Sequence, residues 1–132
     1  MTTHTDSASL PGTPLRIASW LLAISYFIGA PLVAFLEYND QVFSQRFDLP
    51  AELIFVTCAV QLVSSIGVLI PRFASWAAAA LTVTTLGAIA SHIRIGSPMT
   101  AIAAVVYTVI QVWHGLAWRS KAHREHSLES KN

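Results

Sequence analysis

Four long stretches of the chain contain no Asp, Glu, Lys or Arg, and this feature limits its fold more than any other. They cover residues 17–36, 53–71, 73–91 and 95–118, and all 8 basic and 7 acidic residues lie between or outside them. A bilayer core of about 30 Å takes about 20 helical residues to cross. Because lipid tolerates no unpaired backbone, and these stretches are about twice the length of a barrel strand, they must be helical. The sequence therefore predicts an all-α polytopic membrane protein with a four-helix transmembrane bundle.

The composition excludes several other classes of protein. Charged residues make up 11% of the chain and the net charge is +1, whereas soluble domains carry about a quarter charged residues. This excludes a soluble globular domain, a disordered chain and a nucleic-acid binder with a broad basic surface. The residues outside the four stretches are too few for a separate catalytic domain. Any chemistry is therefore expected in the bundle, in its short connections or in a partner.

The chain is interpreted as a membrane domain, 17–118, between an N-terminal tail, 1–16, and a basic C-terminal tail, 119–132. The spans are expected at about 17–36, 53–71, 73–93 and 97–118. The first stretch is longer than the apolar region of a signal peptide, so we interpret it as an uncleaved span. With four spans both termini share one side, which holds six basic residues against two on the other. The positive-inside rule then predicts that both termini are cytoplasmic.

The connection at 37–52 is predicted to be the one long loop, on the outer side. Its acidic residues outnumber its single Arg and give it a net charge of −3. We interpret these acids as solvated loop charges, because their spacing matches no calcium-binding loop. They are Glu37, Asp40, Asp48 and Glu52. No metal site is predicted.

Each predicted span carries a polar side chain near its middle. A small pocket lined by Tyr26, Gln61, Thr84 and Tyr107 would suit a polar ligand such as a quinone headgroup. The alternative, and the commoner role of such residues, is hydrogen bonding between neighbouring helices, which stabilises membrane bundles. None of the four side chains titrates near neutral pH, which disfavours a proton relay among them.

Two other residue types invite a functional interpretation. His92 lies where the third span reaches the outer surface, and it is a candidate proton donor there, or a structural His bonded to a loop carbonyl. His114 lies at the opposite end of the bundle, so the two cannot share a haem or a metal. Cys58 lies inside the second span, where a thiol acts either as a redox group or, more commonly, as a small apolar residue.

The third span carries small residues at intervals of three or four positions. Such a stripe allows close helix packing, either inside the bundle or at a homo-oligomer contact. Its members are Ala77, Ala80, Thr84, Gly87 and Ser91.

Several short segments resemble the DoxX-like membrane proteins. They are Leu49–Pro50, Val60–Leu62, Gly67–Arg72, Leu86–Gly96 and Gly115–Arg119, within a similarity that covers about residues 20–119. The resemblance implies a four-helix protein of the bacterial inner (plasma) membrane. It also implies kinship with small subunits of quinone-reducing oxidoreductases and of membrane assemblies that handle thiols and oxidative stress. The chain departs from the family in lacking a Lys after Gly29 and an acid at Gln61.

These observations lead to one functional hypothesis and two alternatives. The first is a membrane subunit or scaffold of a quinone-linked oxidoreductase assembly, without activity alone, with no covalent or metal cofactor and with quinone as its ligand. Its partners would be the lipid bilayer and a soluble or membrane oxidoreductase subunit. No nucleic-acid partner is expected. The second is a small transporter or lipid-phase binding protein. The third is a self-contained isomerase or cyclase using Glu37, Glu52 or His92.

Overall fold

The protein is helical over 88% of the residues that its structure describes, and none of those residues forms a strand. The computed structural model describes residues 12–129, except for the side chains of residues 125, 126, 128 and 129. The outer parts of both predicted tails, 1–11 and 130–132, lie outside the described residues. The helices are α1 Thr13–Asp40, α2 Val42–Phe47, α3 Ala51–Gly67, α4 Ala74–Arg94 and α5 Pro98–Glu129.

The prediction of an all-α fold is confirmed over the described residues, and the apolar helices fit the predicted membrane protein. Helices α1, α4 and α5 are each long and apolar enough to cross a membrane, whereas α3 has 17 residues and is shorter. Large apolar side chains point outward from the bundle, as Ile28, Phe35 and Val109 show with exposures of 63%, 64% and 62%. A soluble monomer rarely exposes so much apolar surface, but a bilayer solvates it.

Helix α3 ends before the predicted limit of the second span. It stops at Gly67, and residues 68–73 form turns instead of continuing to residue 71 as a helix. Pro71 explains this, because a helical proline lacks its N–H and its ring clashes with the carbonyl four residues earlier. That carbonyl belongs to Gly67, and it accepts the N–H of Ile70 at 3.1 Å in a tighter turn.

The segment at 37–52 is more ordered than the predicted outer loop. Helix α1 continues to Asp40, and α2 follows directly after it. The Glu37 side chain is buried, and its carboxylate accepts the backbone N–H groups of Phe43 at 2.8 Å and Ser44 at 3.1 Å. The first N–H groups of a helix have no partner inside it, so Glu37 supplies one for α2. The interpretation of Glu37 as a solvated charge was therefore wrong, whereas the other three acids of this segment are exposed.

The four long helices pack in a ring in chain order, with α1 and α4 at opposite corners. Helix α4 packs most extensively against α5, and α1 packs mainly against α3. The contact that closes the ring, between α1 and α5, is the lightest between neighbouring long helices. The apolar core contains Leu22 of α1, Val68 after α3 and Leu81 of α4.

Small residues bring α4 close to both of its neighbours. A Cβ built at Gly67 would lie 2.8 Å from the Cβ of Ala77, and one at Gly115 would lie 3.2 Å from that of Ala78. The Ser75 hydroxyl also donates to the carbonyl of Gly115 at 3.1 Å. The predicted small-residue stripe is divided, since Ala77 is buried whereas Gly87 is exposed with open space beside it.

Helix α5 extends well beyond the last predicted span. It continues past Trp118 to Glu129, so the described part of the basic C-terminal tail is helical.

Candidate functional site

Buried and half-buried polar side chains of α1, α4 and α5 form two adjoining groups inside the bundle. The central cluster consists of Tyr26, Thr85 and Gln111. The end cluster consists of Ser19, His114 and Trp118, and lies where α1 begins. Gln111 and His114 are both 0% exposed, although the other faces of the same helix expose large apolar side chains.

The hydrogen bonds of the central cluster determine how the Gln111 amide is oriented. Its nitrogen donates to the Tyr26 hydroxyl and, at 3.0 Å, to the Thr85 hydroxyl. The Tyr26 hydroxyl lies 2.9 Å from that of Thr85, which in turn donates to the Leu81 carbonyl at 2.7 Å. These four contacts need four hydrogens, and the amide NH₂, Tyr26 and Thr85 supply four. With the amide reversed only two hydrogens would remain, so the orientation follows from the network.

This arrangement leaves one acceptor unused. Gln111 Oε1 is buried and has no hydrogen-bond partner within residues 12–129. A buried polar atom without a partner costs about 1–3 kcal/mol, so native proteins retain few of them. Gln111 Oε1 is therefore a candidate ligand-binding atom.

The end cluster leaves a second polar atom unused. His114 Nε2 lies 2.7 Å from the Ser19 hydroxyl and accepts the Trp118 indole N–H at 3.2 Å. The Ser19 hydroxyl also donates to the Leu15 carbonyl at 3.0 Å. With Nε2 as the acceptor of the indole N–H, the proton of the neutral ring lies on Nδ1; with the proton on Nε2, that atom donates to Ser19 and Nδ1 is an acceptor. His114 Nδ1 is buried and unpaired among the described residues. It lies one helical turn from Gln111 on the same face of α5.

The structure brings together two of the four residues predicted from the sequence. The Tyr26 and Tyr107 rings meet edge to face with their centroids 5.9 Å apart, and the Tyr107 hydroxyl lies 3.0 Å from that of Ser25. Thr84 is half-buried and donates to the Leu81 carbonyl of its own helix at 2.9 Å. Gln61 is half-buried in α3, and its side-chain amide makes no hydrogen bond with any described residue.

Sequence reasoning missed Gln111, His114 and Thr85 as members of a site. Positions 107, 111, 114 and 118 follow the helical repeat and carry Tyr, Gln, His and Trp. This stripe of four polar or amphipathic side chains lies on one face of a mostly apolar span. It was the sequence signal that α5 supplies polar side chains to both clusters.

His92 lies at the other end of the bundle from His114. It is half-buried, its Nδ1 lies 3.1 Å from the Thr100 hydroxyl, and the Phe47 ring meets it edge to face at 5.2 Å. Its partner is therefore a hydroxyl at the start of α5, and its role as a proton donor stays a prediction. Cys58 is a buried free thiol. Within the described part of the chain, no group of three or more His, Cys, Asp or Glu residues is placed to hold a metal ion.

An apolar groove runs along the outside of the α1–α5 contact. Its volume is about 450 Å³, and its lining includes Ile17, Ala18, Leu21, Ile110 and Trp113. Ala18 directly precedes Ser19, and Trp113 directly precedes His114, so the groove follows the end cluster along the bundle surface.

The comparisons with known proteins identify one family. A family model described as the DoxX-like family matches residues 16–114, which is well over half of the chain. Neither the curated proteins nor the solved structures contain a match. The matched region begins at the start of the bundle and ends at the buried histidine of the end cluster.

Proposed function

This chain belongs to the DoxX-like family, whose members are generally integral membrane proteins, and from that premise we propose that it is a membrane subunit or scaffold of an oxidoreductase assembly. Its own task is to bind a quinone headgroup inside the bundle. The redox cofactor that exchanges electrons with the quinone belongs to a partner subunit.

The unpaired Gln111 Oε1 is the observation that carries this proposal. Ligand sites are mostly apolar, with a few well-placed polar groups that orient the ligand. The central cluster fits this description, because the rings of Tyr26 and Tyr107 stand beside a buried amide with one free hydrogen-bonding atom. The site therefore includes Tyr26 and Tyr107 as the sequence predicts, and adds Gln111 and Thr85.

The α1–α5 groove supports a lipid-soluble ligand in particular. It opens toward the lipid-facing surface, since Ile17 is 61% exposed and Trp113 is 47% exposed. The α1–α5 contact is also the lightest in the ring, so it separates at the least cost in packing. An isoprenoid tail would lie in this groove while the headgroup reaches the cluster between the helices.

The same proposal includes four spans and cytoplasmic termini in a bacterial inner membrane. Helix α3 is about 26 Å long at 1.5 Å per residue, and a bilayer adapts to such a short span at modest cost. Arg16, Arg72, Arg119, Lys121 and Arg124 all belong to the end of the bundle where the termini lie, and Lys131 lies outside the described residues. This distribution supports the orientation.

Thiol labelling in intact spheroplasts tests the orientation. In a Cys58→Ala background, Asp40→Cys should react with a membrane-impermeant maleimide, whereas Ser120→Cys should react only after the membrane is opened. The reverse pattern contradicts cytoplasmic termini, and labelling of both sites in intact spheroplasts contradicts an even number of spans.

Ligand binding tests the function. Detergent-purified protein is titrated under anaerobic conditions with the reduced, quinol form of a short-tailed ubiquinone, whose hydroxyl can donate to Gln111 Oε1. Binding is measured by quenching of tryptophan fluorescence. We expect saturable binding that Gln111→Leu weakens about fivefold to tenfold, which corresponds to one lost hydrogen bond. Gln61→Leu is the matched control, because that amide makes no hydrogen bond with a described residue. The proposal fails if binding is not saturable, or if both variants weaken it equally.

A further inference from the structure

We propose that Gln111 is a specificity-determining residue that selects the hydroxyl form of the headgroup, a quinol, against the oxidised carbonyl form. This inference rests on the proposed function and names the redox state that the same site prefers.

The polar hydrogens of the central cluster are all used within the cluster and its own helix. Both amide hydrogens of Gln111 and the hydroxyl hydrogens of Tyr26 and Thr85 are engaged in contacts already described. The cluster therefore has no donor left for a ligand, and Gln111 Oε1 is an acceptor only. A ligand that meets this atom must bring a hydrogen of its own.

The two forms of the ligand differ in whether the headgroup oxygen carries a hydrogen. A quinol oxygen carries a hydrogen and donates it to Gln111 Oε1. A quinone oxygen carries none, so it would face Gln111 Oε1 as one acceptor against another and leave both without a hydrogen bond. In a buried site that loss is not compensated by water, which makes the difference between the two forms large.

His114 of the end cluster is the next polar residue that a ligand at Gln111 could meet. His114 Nδ1 lies one helical turn from Gln111 and has no partner among the described residues, and it carries the ring proton in the tautomer whose Nε2 accepts from Trp118. In that tautomer Nδ1 is a donor for the ligand. A hydroxyl oxygen accepts from Nδ1–H while its hydrogen is donated elsewhere, whereas a carbonyl oxygen only accepts. His114 thus serves both forms of the ligand, and the discrimination belongs to Gln111.

Anaerobic titrations with the reduced and oxidised forms of one short-tailed ubiquinone test the inference. We expect the quinol to bind about tenfold more tightly than the quinone, because one hydrogen bond replaces one repulsive contact. The midpoint potential of the bound couple should then rise by about 30 mV, which is the two-electron equivalent of a tenfold ratio. Gln111→Met keeps the side-chain length without the acceptor and should bring the two affinities together.

Two further variants separate specificity from folding. Tyr26→Phe removes the hydroxyl that accepts one Gln111 amide hydrogen, so it frees a donor for the quinone and should reduce the preference for the quinol. Gln61→Leu should retain the full preference. Circular dichroism and a single elution peak in detergent confirm that each variant is folded before the affinities are compared.

The possible outcomes distinguish the two proposals. Equal affinity for both forms, or tighter binding of the quinone by the natural sequence, overturns this inference while the proposed function stands. A preference that persists unchanged in Gln111→Met also overturns it. Absence of saturable binding for either form overturns both.

Discussion

The Ser19 hydroxyl lies 2.7 Å from His114 Nε2 and so connects the start of α1 with α5 across 95 positions of the chain. Helices α1 and α5 pack only lightly, and this buried contact is one of three side-chain hydrogen bonds that join them within the described residues. Ser19→Ala should lower the free energy of unfolding in detergent by about 0.6–1.7 kcal/mol, the range for hydrogen bonds between membrane helices. Ser91→Ala is the matched control, because that hydroxyl donates only within α4, and an equal loss in both variants would contradict the prediction.

The close approach of α3 and α4 gives a second prediction. In Gly67→Ala the new Cβ would lie 2.8 Å from that of Ala77, and such overpacking costs about 1–3 kcal/mol. Thermal unfolding in detergent should show a clear loss. Gly87→Ala has open space around it and should be neutral or raise stability by up to about 1 kcal/mol, since alanine is the better helix former.

A compensating substitution checks that the loss in Gly67→Ala has this cause. Adding Ala77→Gly removes the opposing Cβ and should restore part of the stability. If the double variant is less stable than Gly67→Ala alone by the full cost of a helical glycine, the clash is not the reason.

Gln41 gives a third prediction, because its backbone is left-handed with a φ of 49°. An L-residue other than glycine is strained there by about 1–2 kcal/mol, so Gln41→Gly should raise the unfolding temperature. Gly96 has a φ of 68°, and Gly96→Ala should lower that temperature although the surrounding space is open. Shifts of the same sign in the two variants would contradict this account.

Glu37 gives the fourth prediction, at the start of α2. Glu37→Ala removes the acceptor of the Phe43 and Ser44 N–H groups. Hydrogen exchange of residues 42–47 should accelerate, while the exchange of α4 should stay unchanged. Asp40→Ala is the control, since Asp40 is exposed and makes no hydrogen bond through its side chain to a described residue. Equal exchange in the two variants would show that Glu37 does not hold α2.

The helices were predictable from the sequence because charge is excluded from lipid-facing segments whatever their packing. The end of α3 depended on one steric contact, between the Pro71 ring and the Gly67 carbonyl, which an inspection of hydropathy alone does not detect. The continuation of the chain through α2 depended on Glu37, whose burial is possible only because backbone N–H groups six and seven positions later turn back toward it.

The candidate site was predictable only in part. Tyr26 and Tyr107 could be found because position along a span places a residue at a depth in the bilayer. Depth does not specify the direction in which a side chain points, and Thr84 and Thr85 lie at nearly the same depth. Thr85 shares the buried face of α4 with Leu81 and Ala78, so it meets Gln111, whereas the hydroxyl of Thr84 bonds only within its own helix.

The continuation of α5 past Trp118 also determines how a partner subunit bound to this helix would be oriented. Eleven further residues at 1.5 Å each make an arm of about 16 Å that is continuous with the last span, and the Lys121 ammonium lies 5.5 Å from the Trp118 ring at its base. Successive residues of an α-helix are rotated by about 100° around its axis. A subunit bound to this arm would therefore have a fixed rotation about the axis, and a fixed height, relative to the bundle. Inserting a single residue after Trp118 would swing that subunit round by more than a quarter of a turn without altering either surface.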